Sequence, residues 1–321
     1  MKPRVYVTRH LPEAAWSELT EVCDVQIWNE EFPPPYDVIA QQIKDKEGLI
    51  CLLTDQIDAN LMDYAPNLKV ISQVAVGYDN IDVAAATERG IAIGNTPGVL
   101  TDATADFAFA LLMAAARRIG EAIDYVRAGK WQTWGLTLLL GQEIQGAILG
   151  IIGMGRIGQA VAKRARGFDM QILYHNASRR PDLEEALGVE YRKFDELLQE
   201  ADFVSLHVNL TAETRGLIDA HALELMKPTA VLINTARGPV VDPDALYWAL
   251  QNGQIAAAAL DVTDPEPLPP DHKLLNLRNL IVVPHIASAT TTSRTLMAQM
   301  AVRNCVAGVQ GKPLPFPVNS V

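Results

Sequence analysis

Apolar residues in the first hundred positions recur in short β-rich runs at Val5–Thr8, Val25–Trp28, Leu49–Leu53, Val70–Val74 and Ile91–Asn95, separated by amphipathic stretches. This strand-then-helix rhythm predicts a small α/β unit. Turn formers crowd N-T-P-G at 95–98, and Thr101-Asp102 then caps a long apolar helical pattern reaching about Ala116, so this region reads as a hinge. From Ala147 the rhythm restarts with continuous apolar runs at Ala147–Ile152, Gln171–Tyr174, Phe203–His207, Ala230–Asn234, Ala256–Leu260 and Leu280–Val283. Runs without alternation mark strands buried on both sides, so six of them predict a parallel sheet with helices on both faces. A last helical pattern runs from Thr292 to about Val309. The first unit has strands but lacks cover that this helix can supply, so the chain is expected to cross between two units twice.

Composition narrows the classes. The 321 residues are 49% hydrophobic and 20% charged, enough for two ordinary cores. The three cysteines, Cys23, Cys51 and Cys305, are far apart and form no C-x-x-C, which argues against a disulfide framework or zinc site and for a reducing compartment. The start, Met1-Lys2-Pro3 running into Val5, Tyr6 and Val7, shows no charged-then-apolar leader and reads as a cytoplasmic start. The longest apolar stretches, such as 108–116, fall short of the roughly 20 residues that span a bilayer. A formal charge of −11 opposes nucleic-acid binding, which rewards clustered Lys and Arg.

Directly after the strand A-I-L-G-I-I comes G-M-G-R-I-G, with Gly153, Gly155 and Gly158 followed by the helical run Q-A-V-A-K-R-A. In that strand-to-helix setting, Gly153 permits the tight turn and Gly155 lets backbone approach a pyrophosphate. Gly158 allows close helix packing, and the helix N-terminus offers unpaired N–H groups. The motif predicts a dinucleotide site. An NAD site usually carries an acidic residue about 20 positions on to bond the ribose 2′-OH. Here the second strand ends in His175, Asn176, Ala177, Ser178, Arg179 and Arg180, with no carboxylate before Asp182. Two arginines and small polar groups suit a 2′-phosphate, so NADP(H) is expected to be preferred with NAD(H) as the lesser cofactor. The bland alternative is a solvated basic loop.

Three polar residues lie at strand ends, where open α/β sheets hold their ligands. Arg237 follows L-I-N-T-A and offers a planar fork for a carboxylate. His285 follows I-V-V-P, and imidazole moves its proton near neutral pH. Glu266, in D-P-E-P, lies 285 − 266 = 19 residues earlier; a carboxylate touching the imidazole would orient it and favour its protonated form, an acid for a carbonyl oxygen. Each alone has a structural reading as an ion pair, a proline turn or a helix cap. His10, His207, His221 and His272 form no metal-ligand spacing, and no G-x-S-x-G elbow is present.

Taken together, V-G-Y-D-N-I-D (76–82), G-I-A-I-G-N-T-P (90–97), G-M-G-R-I-G-Q-A, M-K-P-T-A-V-L-I-N-T-A-R-G (226–238), A-L-D-V (259–262), D-P-E-P and P-H-I-A-S-A-T (284–290) resemble the D-isomer-specific 2-hydroxyacid dehydrogenase family over essentially the full chain. Within it the chain is most similar to the glyoxylate and hydroxypyruvate reductases. The resemblance implies two Rossmann-like α/β domains with an active-site cleft between them. One is a discontinuous, flavodoxin-like substrate-binding domain (1–99 and 291–321), the other a doubly wound dinucleotide-binding domain (100–290). It implies that Arg237 binds the substrate carboxylate and carbonyl, that His285 is the general acid and base, that Glu266 tunes it, and that the amides of Val76 and Gly77 hold the carboxylate. Cofactor contacts are implied for Thr104, Gly153, Met154, Gly155, Arg156, Ile157, Gly158, Asn176, Ala177, Ser178, Arg179, Thr235, Ala236 and Asp261. A homodimer is implied too, with Trp131 to Gly141 reaching toward the partner.

The chain departs from these reductases at Leu138, where they commonly carry a tryptophan. Val76, where phosphite dehydrogenases carry lysine, argues against phosphite, and Glu266, where formate dehydrogenases carry glutamine, argues against formate. The expected reaction is reduction of a small 2-keto acid to the D-2-hydroxy acid. The alternatives are a reductase of a bulkier acid such as hydroxyphenylpyruvate, suggested by Leu138 and Leu52-Leu53, and a non-catalytic dinucleotide-sensing protein.

Overall fold

The computed structural model describes residues 1–321 and divides them into two compact units, Met1–Leu100 with Ala289–Val321, and Thr101–Ser288. In the first, β1 (Arg4–Val7), α1 (Trp16–Val22), β2 (Asp24–Ile27), α2 (Tyr36–Gln42), β3 (Gly48–Cys51), α3 (Ala59–Asp63), β4 (Val70–Gln73), α4 (Val83–Glu88) and β5 (Ala92–Gly94) alternate as the hydrophobic rhythm predicts. In the second follow α5 (Thr101–Ala116), α6 (Ile119–Arg127), β6 (Ile148–Ile152), α7 (Arg156–Ala165), β7 (Gln171–His175), α8 (Pro181–Leu187), β8 (Glu190–Tyr191), α9 (Phe194–Glu200), β9 (Phe203–Leu206), α10 (Ala220–Leu225), β10 (Val231–Asn234), α11 (Pro243–Gln251), β11 (Ala257–Leu260) and β12 (Leu280–Val282). The chain then returns to the first unit as α12 (Thr291–Val309).

The first unit's sheet is parallel, in the order β2-β1-β3-β4-β5, the flavodoxin-like arrangement. One face packs on a core that includes Leu49, Ile71 and Ile93. The other packs on Val5, Val7 and Ile50, which meet Ala298, Ala301, Val302 and Cys305 of α12. The C-terminal helix is therefore the missing cover. The Ser72 hydroxyl donates to the Ala301 carbonyl at 2.7 Å, tying α12 to the middle of the sheet.

The second unit's sheet is also parallel, ordered β12-β11-β10-β9-β6-β7-β8, the doubly wound arrangement in which strand order reverses between β6 and β9. It has seven strands rather than the expected six. The additional strand, β8, has only two residues, Glu190 and Tyr191, so no apolar run announces it. Both faces are covered: α5 and α7 enclose Leu149, Ile151, Phe203 and Ile233, while α9, α10 and α11 enclose Ile152, Val204, Leu206 and Leu232. No helix in the chain is long and apolar enough to cross a membrane.

Candidate active site

The strand-order reversal in the second unit puts the ends of β6 and β9 side by side, and the glycine loop starts there. Gly153 has φ of +100°, and a Cβ on it would lie 2.6 Å from the His207 carbonyl, so only glycine makes this turn without displacing the end of β9. A Cβ on Gly158 would fall 2.3 Å from the Gly153 carbonyl oxygen, which fixes how closely α7 approaches β6. A Cβ on Gly155 would meet no atom within 4 Å. That glycine keeps clear the open space in front of the helix rather than serving the protein's own packing. Gly155 is also the N-cap of α7 and supplies no capping side chain, leaving the first-turn N–H groups of Arg156, Ile157 and Gly158 without a side-chain partner.

These features fit a dinucleotide pyrophosphate: an uncapped helix start, open space in front of it, and amides pointing at that space. Met154 takes a different part. It is fully buried, and its N–H donates to the Asn176 side-chain oxygen at 2.7 Å, so Asn176 ties the glycine loop to the end of β7. Ala177 and Ser178 are exposed beyond it. The Thr235 hydroxyl after β10 is buried with no hydrogen-bond partner, an orphan polar atom of the kind a bound ligand satisfies. Ala236 beside it is buried with its N–H held by Asn234, and Thr104 is buried in the first turn of α5.

The basic pair after β7 is less free than the sequence suggests. Arg179 forks onto Glu184 of α8, at 2.8 Å from Nε and 2.7 Å from Nη2, and Arg180 forks onto Asp182 at 2.9 and 2.6 Å. Glu184 also accepts from the Tyr174 hydroxyl at 2.8 Å, while that hydroxyl accepts from the Arg180 backbone N–H at 2.7 Å. The Arg179 and Tyr174 bonds hold the Glu184 carboxyl down at about 2. The loop is thus built around a charge-neutral frame.

Beyond the cofactor loop, the structure brings His285 and Glu266 together: Nδ1 of the imidazole lies 2.6 Å from Oε1. The other carboxylate oxygen accepts from the Thr263 N–H at 3.1 Å, so Glu266 is fixed at both oxygens. Burial alone would raise its carboxyl. The hydrogen bond and charge of His285, the Thr263 amide and the charge of Arg237 together outweigh burial and leave Glu266 below the usual carboxylate range. Arg237 follows β10 as the N-cap of the short 3₁₀ turn Gly238–Val240; its Nη1 donates to the Ala236 carbonyl at 2.9 Å, and its own carbonyl accepts from Asn234 Nδ2 at 2.8 Å. A Cβ on Gly238 would strike the Thr263 carbonyl at 1.8 Å, so the Arg237 and Glu266 loops pack backbone to backbone.

His285 has φ of +53°, an unusual conformation for a residue other than glycine. Asp261, at the end of β11, imposes it: its carbonyl accepts from the His285 N–H at 2.9 Å, and its carboxylate oxygens accept from the Ile286 and Ala287 N–H groups at 2.7 and 2.9 Å. Burial pushes the Asp261 carboxyl above its ordinary value, against these two amides and the charge of His285. Its carboxylate is therefore already engaged in shaping the histidine turn, in addition to the nicotinamide contact implied for it.

Val76 and Gly77 follow β4 in the other unit and are half-buried. The residues that orient their amides are Asn95, on the Val76 carbonyl, and Thr96, on the Ala75 carbonyl, a role the sequence reading of 95–98 as a turn-rich hinge does not reveal.

Comparison with known proteins converges on one family. The NAD-binding domain of the D-isomer-specific 2-hydroxyacid dehydrogenases matches residues 109–287. A glyoxylate reductase of Korarchaeum cryptofilum is 54% identical over 99% of this chain and 96% of its own length. The crystal structure of a Thermus thermophilus protein, 48% identical, superposes with a TM-score of 0.93 over 98% of this chain and all of that one. An NADPH-dependent glyoxylate/hydroxypyruvate reductase of Sinorhizobium meliloti, solved with NADP and malonate, is 33% identical and superposes with a TM-score of 0.87 over 99% and 97% of the two chains. With the glycine cradle and the two parallel sheets, these likenesses establish that the chain belongs to the D-isomer-specific 2-hydroxyacid dehydrogenase family of NAD(P)-dependent oxidoreductases.

Proposed function

We propose that the protein reduces small 2-keto acids, glyoxylate and hydroxypyruvate, to D-2-hydroxy acids with a preference for NADPH. The observation that carries the chemistry is the 2.6 Å pair of His285 and Glu266 in the unit that also holds the glycine cradle and Arg237. Arg237 and the amides of Val76 and Gly77 take the carboxylate, and His285 donates its proton to the carbonyl oxygen. Glu266, held ionised, keeps the imidazole oriented with its other nitrogen toward the substrate and stabilises its positive charge. The bound nicotinamide supplies the hydride. Amides of Arg156 and Ile157 hold its pyrophosphate, Asn176 to Arg179 surround the adenosine ribose, and Thr235, Ala236, Asp261 and Thr104 line the nicotinamide end.

The cofactor preference rests on the stretch His175 to Arg180 after β7, which carries two arginines and none of the acidic residues that bond a free 2′-OH, and on the NADPH dependence of the Sinorhizobium relative. Assembly as a homodimer is proposed from the exposed apolar arm Trp131 to Leu140 and from family likeness.

The test is oxidation of NADPH and of NADH with glyoxylate, hydroxypyruvate, pyruvate and hydroxyphenylpyruvate. Turnover fastest with glyoxylate or hydroxypyruvate and NADPH is expected. Turnover fastest with hydroxyphenylpyruvate would replace the substrate reading by one for bulkier acids, faster turnover with NADH would overturn the cofactor preference, and cofactor binding without turnover would favour a sensing protein.

A further inference from the structure

A peptide group points its N–H opposite its C=O, so whatever holds a carbonyl also aims the next residue's amide. The Ala75 carbonyl accepts from the Thr96 N–H at 2.9 Å, and the Val76 carbonyl accepts from Asn95 Nδ2 at 2.8 Å. Both donors come from adjacent residues just after β5. The Val76 and Gly77 N–H groups therefore both point away from that segment, and neither donates to an acceptor within the protein. Two successive free amides aimed the same way form a concave anion site.

The two amides are held by different means. Val76 N–H is set by a backbone bond that any residue at 96 except proline supplies. Gly77 N–H depends on one side chain. Asn95 is itself fixed: its N–H donates to the Phe316 carbonyl at 3.2 Å, and its carbonyl accepts from Asn304 Nδ2 at 3.0 Å. Asn304 is completely buried on α12, and its oxygen accepts from the Phe316 N–H at 3.0 Å. The chain that leads to Gly77 thus begins in the C-terminal helix.

We propose that Asn95 is the positioning residue of the carboxylate site, aiming the Gly77 amide at the substrate through the Val76 carbonyl without touching substrate itself. This rests on the reading that the Val76 and Gly77 amides bind the carboxylate. Asn95→Ala removes the donor, and Asn95→Asp keeps the shape while setting a carboxylate against the carbonyl.

The experiment measures KM and kcat for glyoxylate, the inhibition constant of oxalate, and NADPH affinity by fluorescence in both variants. Wild-type and variant proteins are also compared by glycine-selective ¹⁵N NMR with and without oxalate in the presence of NADPH. The expected result is KM and the oxalate constant rising together by about tenfold, the scale of one lost hydrogen bond to a charged group, with kcat and NADPH affinity within about twofold. The Gly77 amide resonance should move on adding oxalate to wild type and not to the variants. Unchanged KM and oxalate binding in both variants, with the wild-type Gly77 resonance moving, would overturn the role of Asn95 alone. A wild-type Gly77 resonance that ignores oxalate would overturn the amide reading on which it rests.

Discussion

The Glu184 carboxylate holds one edge of the Arg179 guanidinium, at 2.8 Å from Nε and 2.7 Å from Nη2, in the loop proposed to receive an adenosine 2′-phosphate. A phosphate arriving there meets an arginine whose charge is already answered. It gains from Arg179 only the directions Glu184 leaves open, and this exposed pair is screened by solvent. The preference for NADPH over NADH is therefore expected to be modest, about tenfold in kcat/KM, one charge-assisted hydrogen bond's worth. Arg179→Ala should remove most of it by lowering kcat/KM for NADPH and leaving that for NADH nearly unchanged. Equal losses with both cofactors would mean that Arg179 only supports the loop.

Replacing Glu266 by glutamine tests the acid-base pair. The substitution keeps the shape but removes the negative charge opposite His285, so the protonated imidazole loses its counter-ion. Reduction of glyoxylate should fall by about tenfold or more. His285→Ala should cost about a hundredfold or more in kcat. In the native enzyme Glu266 lies below the usual carboxylate range. Its folded value being depressed, the stability it contributes is fully present above the ordinary glutamate value and is lost as pH falls from there through the lower folded value. A Glu266→Gln enzyme that reduces glyoxylate as fast as wild type would remove glutamate from the proton chemistry.

The glycine loop separates folding from binding within one motif. A methyl group on Gly158 would lie 2.3 Å from the Gly153 carbonyl and 3.1 Å from Ile151, forcing α7 away from β6. Gly158→Ala should lower stability by about 1–3 kcal/mol, seen as a reduced Tm. A methyl group on Gly155 meets nothing within 4 Å, and its φ of −76° suits alanine. Gly155→Ala should leave the apoprotein's Tm unchanged and weaken NADPH binding by about tenfold or more, because the added methyl stands where the pyrophosphate approaches. Equal Tm losses in the two variants would contradict this division.

What could be read from sequence follows from how local each feature is. The glycine loop shows because three backbone requirements lie within six residues, and the strands show because buried parallel strands are continuous apolar runs. Strand β8 escapes because Glu190 and Tyr191 carry no such run; their pairing with β7 is a tertiary fact. Arg179 and Arg180 read as a phosphate site because their partners, Glu184 and Asp182, belong to a helix whose facing cannot be inferred from spacing alone. Asn95 hides inside a string of turn formers: its role depends on Val76, 19 residues away, and on Asn304 of α12, 209 residues away. His285 and Glu266 are visible as strand-end chemistry, but the turn that holds the histidine at positive φ is built by Asp261, whose two amide bonds are fixed only in the folded chain.

The segment from α6 to Leu140 exposes a run of large apolar side chains. On α6, Ile119, Ile123 and Val126 are spaced to share one face, and all are exposed. Beyond the helix, Trp131, Trp134, Leu136 and Leu140 are each more than 60% exposed. Scattered exposed apolar residues are ordinary, but two tryptophans and several leucines within ten positions beside an apolar helix face have the composition expected of an association surface. A second copy is the occupant expected from the family likeness. Trp134→Glu combined with Leu136→Glu should therefore convert a dimer to a monomer, read by sedimentation velocity, while circular dichroism stays unchanged, because neither side chain supports its own unit. A native protein that sediments as a monomer at micromolar concentration would leave the apolar arm to some other partner.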